Sequence, residues 1–211
     1  MPGLIRGLDP DRIRANLERV RSVAGDGVEI LAATKYVPAE EMGALAEAGI
    51  ALVGENRLQD LERKRERWAD SFIWDFIGNF QSRKVKRIAP LVRLIHSVAT
   101  DSVLAQLEKH APPELEVLVE VNLSGEESKG GVTPEELGAF IERCPVAVSG
   151  LMTMPPFSEN PEDSRPHFAA LRELADAHGL TRLSMGTSQD FAVAVEEGAT
   201  LIRVGVRLYG A

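Results

Sequence analysis

The sequence has 211 residues, 44% of them hydrophobic and 27% charged, which is enough to bury a substantial core as one large domain and too apolar for a disordered chain. Its formal net charge of -8 argues against a nucleic-acid partner, because affinity for phosphate backbones rests on Lys and Arg. Cys144 is the single cysteine, excluding an intramolecular disulfide and a cysteine zinc site, and no stretch approaches the ~20 apolar residues that span a bilayer. The expectation is a cytoplasmic, unexported protein with no membrane association.

In chain order, residues 9–23 carry a helical period ahead of the first strand pattern. Short apolar runs then recur at 28–34, 51–55, 72–78, 94–98, 115–122, 146–154, 182–186 and 201–206. Helical patterns fill the intervals at 39–48, 101–110, 134–143, 166–178 and 189–197, several followed by a glycine where a helix stops. Eight strands alternating with helices predict an α/β fold, a single (β/α)8 TIM-type barrel over 1–211. The additional N-terminal helix is expected to cover the face left bare where the chain stops soon after the eighth strand. A doubly wound open sheet is the alternative that alternation alone leaves standing. No G-x-G-x-x-G follows the first strand, so a dinucleotide site of that kind has no support.

Strand parity puts Leu31, Ala33 and Lys35 on one side of the first strand. If that side is the barrel interior, Lys35 stands above a small alanine at the carboxyl end, where barrel active sites assemble. An amine there can attack an aldehyde once it is neutral. Taken alone, Lys35 reads first as a solvated lysine opening a βα loop.

The last two strands bring Ser184-Met185-Gly186-Thr187-Ser188-Gln189-Asp190 and Arg203-Val204-Gly205-Val206 to the same rim. A helix beginning at Thr187 or Ser188 would offer free N–H groups to an anion, and Gly205 would let backbone approach a ligand closely. A simple cap at Thr187 with Asp190, and a turn at Gly205, explain the same residues without a ligand. Arg203 shares its face with Leu201 and Gly205, so its guanidinium points inward and needs a partner, either Glu120 or a ligand ring.

Together these segments resemble the pyridoxal phosphate (PLP) homeostasis protein family, the YggS/PROSC-type proteins, which share the barrel of fold-type III PLP enzymes such as alanine racemase. The match spans nearly the whole chain. It runs through Ala33-Thr34-Lys35, Gly54-Glu55-Asn56, Phe76-Ile77-Gly78 with Gln81 and Lys84, and Ile95-His96-Ser97-Val98. It continues through Val121-Asn122, residues 124–129, Gly150-Leu151-Met152-Thr153, Leu183-Ser184-Met185-Gly186, Ser188, Asp190 and Arg203-Val204-Gly205. The resemblance implies that Lys35 holds pyridoxal 5'-phosphate as a Schiff base. It further implies that Ser188 and the backbone at Gly205 and Val206 hold the phosphate, that Arg203 lies near the pyridine nitrogen, and that Asn56 lines the pocket. The chain departs from the family at Asp75, which stands where histidine is usual, at Arg83 for asparagine, at Thr187 for methionine and at Val206 for threonine.

The remaining features read as structural. The basic runs 63–67 and 83–87 fall on helical patterns and are expected to face water, although a local RNA or partner surface fits them too. The segment 124–131, with Lys129, lacks P-loop spacing and reads as a rim loop. His96, His110, His167 and His178 have no metal-ligand spacing, and no metal is expected; Met152, Met154, Trp74 and Phe76 read as packing groups. The resemblance implies a monomeric binding protein without efficient turnover. It would pass the cofactor to PLP-dependent enzymes and form external aldimines with amino acids. A small fold-type III enzyme such as an amino-acid racemase, which needs acid/base groups on both faces of the substrate carbon, is the rival reading. A Schiff-base aldolase using Lys35 without a cofactor is a third.

Overall fold

The computed structural model describes residues 3–126 and 130–210, so Glu127, Ser128 and Lys129 of the expected rim loop lie outside the described residues. Eight parallel strands close a barrel in sequence order, with β1 (Glu29–Ala33) hydrogen-bonded to both β2 (Leu52–Glu55) and β8 (Leu201–Val204). Between them run β3 (Ile73–Phe76), β4 (Leu94–Val98), β5 (Glu116–Glu120), β6 (Ala147–Met152) and β7 (Arg182–Thr187). The open-sheet alternative is thereby excluded.

Alternation sorts the side chains. Leu31, Leu52, Leu94, Leu118, Met152 and Leu201 form one buried cluster inside the barrel. Their sequence neighbours Ala32, Val53, Ile95, Val117, Leu151 and Ile202 belong to a second cluster shared with the helices. Trp74 and Phe76 also lie in that outer layer, as expected of packing groups.

The helices are α1 (Pro10–Ala24), α2 (Met42–Glu47), α3 (Leu58–Trp68), α4 (Val85–Ile88), α5 (Asp101–His110), α6 (Leu137–Glu142), α7 (Arg165–Ala177), α8 (Phe191–Glu196) and α9 (Val206–Tyr209). Helix α1 begins where the Asp9 side chain accepts the Asp11 N–H at 3.0 Å with Pro10 in the first turn, and it ends at Gly25, whose φ is 78°. It packs against α9, α8 and α2. Asn16 Nδ2 donates to the carbonyls of Leu208 (3.1 Å) and Gly210 (3.3 Å), and Arg12 donates to Tyr209 O at 3.1 Å. Side chains of α1 thus satisfy the carbonyls that the short α9 leaves unpaired.

The expectation that run 63–67 faces water is corrected at Lys64. Its side chain turns inward, is buried, and donates to the Glu55 carboxylate and, at 2.7 Å, to Thr34 O. Lys64 follows Leu61 by three residues and Leu58 by six, so the period of α3 carries it to the buried stripe. Arg87 of the second run makes an exposed paired contact with Glu62 at 2.9 and 2.6 Å. Among the described residues no helix is long and apolar enough to cross a membrane, and no acidic, histidine or cysteine cluster suits a metal ion.

Candidate functional site

A cavity of about 670 Å³ opens where the strands end, within the usual range for small-molecule sites. Lys35, Asn56, Ser188, Arg203, Gly205 and Val206 all line it, so the structure brings together every residue singled out from the sequence.

Lys35 lies two residues beyond β1, above Ala33 and the Leu31 layer. It is exposed to the cavity, 4.8 Å from the Tyr36 ring centroid, and no described residue accepts a hydrogen bond from its amine. The neighbouring backbone is firmly held. Lys64 bonds the carbonyl of Thr34, and the Thr34 hydroxyl bonds Glu55, so a buried ion pair fastens the chain immediately before Lys35.

At the opposite wall, the helix expected from Thr187 or Ser188 begins later, at Phe191, and has only six residues. The reason is Asp190. Its Oδ1 accepts both the N–H (2.7 Å) and the hydroxyl (2.9 Å) of Thr187, closing a turn ahead of α8. Gly186 makes that turn feasible: its φ is 87°, and a Cβ there would fall 2.6 Å from Ala194 Cβ. Ser188 Oγ accepts the N–H of Gly205 at 2.9 Å and that of Arg207 at 3.5 Å, tying the β7 turn to the start of α9. Among the described residues, the N–H groups of Ser188, Gln189 and Val206 have no acceptor, although all three residues line the cavity. Free N–H groups of this kind can bind an anion.

An added Cβ at Gly205 would meet nothing nearer than Ala33 O at 3.4 Å. The space it would fill belongs to the cavity.

Arg203 is buried, yet it does not pair with Glu120 as one sequence reading had it. Its Nη1 donates to Ser184 O (2.9 Å) and Ser184 Oγ (2.6 Å), and its Nη2 donates to Thr153 O (3.0 Å). Strand order explains the difference: β8 lies beside β7, which carries Ser184, whereas β5 with Glu120 lies across the barrel. Burial lowers the guanidinium pKa to about 10, against the charges of Glu120 and Asp190 that raise it, so it remains a cation at neutral pH. Burial raises the Glu120 pKa, with Arg203 acting in the opposite sense. Met154, read as packing, is instead exposed at the lip, its sulfur 3.6 Å from Arg203 Nη2.

Two further polar groups at this cavity are orphaned. Asn56 Oδ1 and the Tyr209 hydroxyl are buried without a hydrogen-bond partner among the described residues. Sequence reading missed Tyr209, because its place in α9 gives no hint that the ring turns back to the barrel mouth. Burial, reinforced by Glu55, raises its pKa and keeps it a neutral phenol.

Residues 8–211 match the family model described as alanine racemase, N-terminal domain. The pyridoxal phosphate homeostasis protein of Aquifex aeolicus is 43% identical over 220 residues, covering 95% of this chain and 96% of the relative. This chain belongs to the pyridoxal phosphate homeostasis protein family. Another member, from Pseudomonas aeruginosa, is 37% identical over 213 residues, with 95% and 93% covered. The structure of PipY from Synechococcus elongatus with PLP bound superposes with a TM-score of 0.82 at 29% identity, covering 94% of this chain and all of that one. An alanine racemase from Corynebacterium glutamicum shares the fold, with a TM-score of 0.76 at 15% identity, and this chain covers 64% of it.

Proposed function

We propose that this chain is a PLP-binding homeostasis protein that holds the cofactor in the barrel mouth through Lys35. The observation that carries this reading is an unpaired amine in a cavity whose far wall offers three acceptor-free backbone N–H groups. Bound there, PLP supplies an aldehyde that exchanges between amines. Lys35 Nζ would hold that aldehyde as a Schiff base, which water or an incoming amine would release from the lysine. Ser188, Gln189 and Val206 bind the phosphate, Gly205 leaves it space, and Asn56 offers the ligand a polar contact. Arg203 turns its charge to the pyridine nitrogen and keeps it unprotonated, which weakens the ring as a sink for carbanion charge.

Storage and release then dominate over turnover. Recipients are apo forms of PLP-dependent enzymes, amino acids exchange slowly with Lys35, and the protein works as a cytoplasmic monomer in one barrel domain. The test is incubation of the PLP-loaded protein with L-alanine in deuterated water. We expect slow Cα deuteration and no D-isomer beyond that formed by free PLP. Sustained D-isomer production that disappears in Lys35→Ala would make the protein a racemase.

A further inference from the structure

From the floor of the cavity, which Arg203 and His96 line, a hydrogen-bonded column of polar groups interrupts the leucine-rich interior of the barrel. From the top, Arg203 Nη1 donates to Ser184 Oγ at 2.6 Å, and Ser184 Oγ lies 2.8 Å from His96 Nδ1. His96 Nε2 lies 3.1 Å from Asp75 Oδ2. The two Asp75 oxygens take Arg93 Nε (3.1 Å) and Nη2 (2.8 Å), and Arg93 Nη1 donates to Glu29 Oε1 at 2.7 Å. Ser184, His96 and Asp75 are wholly buried. Glu29 opens β1 and Arg93 immediately precedes β4, so the column descends from the cavity to the amino ends of the strands.

The chemistry of each member fixes the direction of every bond. Arg93 has only donors, so Asp75 serves as acceptor on both oxygens. His96 Nε2, facing an acceptor, carries the proton. Burial holds the imidazole pKa below its ordinary value, with the Arg203 and Arg93 charges acting the same way and Asp75 opposing. The ring is therefore neutral and Nδ1 is bare. Ser184 gives its single proton to Nδ1, which leaves its lone pairs for Arg203. Asp75 is paired with Arg93 and does not line the cavity.

We propose that Asp75, acting through His96 and Ser184, is a positioning group that, together with the Ser184 and Thr153 carbonyls, sets the orientation of Arg203 toward the cofactor ring. This rests on the reading that Arg203 faces the pyridine nitrogen, and the experiment separates the two. The full chain, with 15N-labelled histidine and loaded with PLP carrying 15N in the ring, is followed by NMR. In the unaltered protein His96 should be the neutral Nε2–H tautomer at neutral pH and titrate, if at all, below the ordinary imidazole range. Asp75→Asn, which turns an amide NH2 toward His96 or Arg93, should perturb that tautomer and shift the ring resonance. Ser184→Ala should shift the ring resonance while His96 keeps its Nε2 proton, and it reports on the link without altering charge should Asp75→Asn fold poorly. A packing role alone would lower Tm and leave the ring resonance in place. An Nδ1–H or cationic His96 in the unaltered protein at neutral pH overturns the inference. So does a ring resonance that moves in Arg203→Lys but stays fixed in both Asp75→Asn and Ser184→Ala. A resonance unmoved in Arg203→Lys itself overturns the placement of Arg203, and the inference with it.

Discussion

Gly205 and Ser188 separate two reasons for a residue at a binding rim. A methyl at Gly205 meets only ordinary contacts with Ala33, so Gly205→Ala should leave Tm nearly unchanged while weakening PLP much more than unphosphorylated pyridoxal. Equal loss for both ligands in a titration would remove phosphate from this end of the cavity. Ser188 Oγ already organises two N–H groups, and Ser188→Ala should weaken PLP by about 1.5–3 kcal/mol at most, the range for one hydrogen bond to a charged group. Residue positions were largely legible in the sequence, because strand parity alone sends Lys35 and Arg203 inward. Their partners were not. Ser184 meets Arg203 only once β7 and β8 lie side by side, and the sequence carries no record of that pairing.

Elements that hold the site make their own predictions. Lys64 joins α3 to the ends of β1 and β2, and Lys64→Ala would strand the Glu55 carboxylate in the core. The expected loss is about 3–5 kcal/mol in denaturant unfolding, the range for breaking a buried ion pair from one side. The segment before α1 is tied differently. Glu41 accepts the N–H groups of Gly7 (2.9 Å) and Leu8 (3.0 Å), and Ile5, which lines the cavity, donates to Tyr36 O at 2.8 Å. The backbone bonds from Gly7 and Leu8 depress the Glu41 pKa in the folded state. A depressed carboxyl contributes stability above its unfolded pKa and loses it as pH falls through the folded value. Hydrogen exchange at Gly7 and Leu8, corrected for intrinsic rates, should therefore accelerate below the ordinary carboxylate range and not change near neutrality. Strand and helix order was readable from alternating periods, whereas the late start of α8 was not, since it depends on Asp190 taking the Thr187 N–H.

Across the whole molecule, α1 completes the wall of the barrel and also anchors α9, whose first residue, Val206, offers an unpaired N–H to the cavity. Asn16→Ala removes the bonds to the carbonyls of Leu208 in α9 and Gly210 just after it, and should cost about 1–3 kcal/mol of stability, together with weaker PLP binding at a site that Asn16 does not line. Unaltered affinity in a folded Asn16→Ala protein would show that α9 keeps its place without α1. The central claim, covalent holding of PLP by Lys35, has a more direct test. Borohydride reduction of the loaded protein, followed by peptide mass mapping, should find the pyridoxyl adduct on Lys35 and none in Lys35→Ala; an adduct on another lysine with Lys35 unmodified would contradict the account.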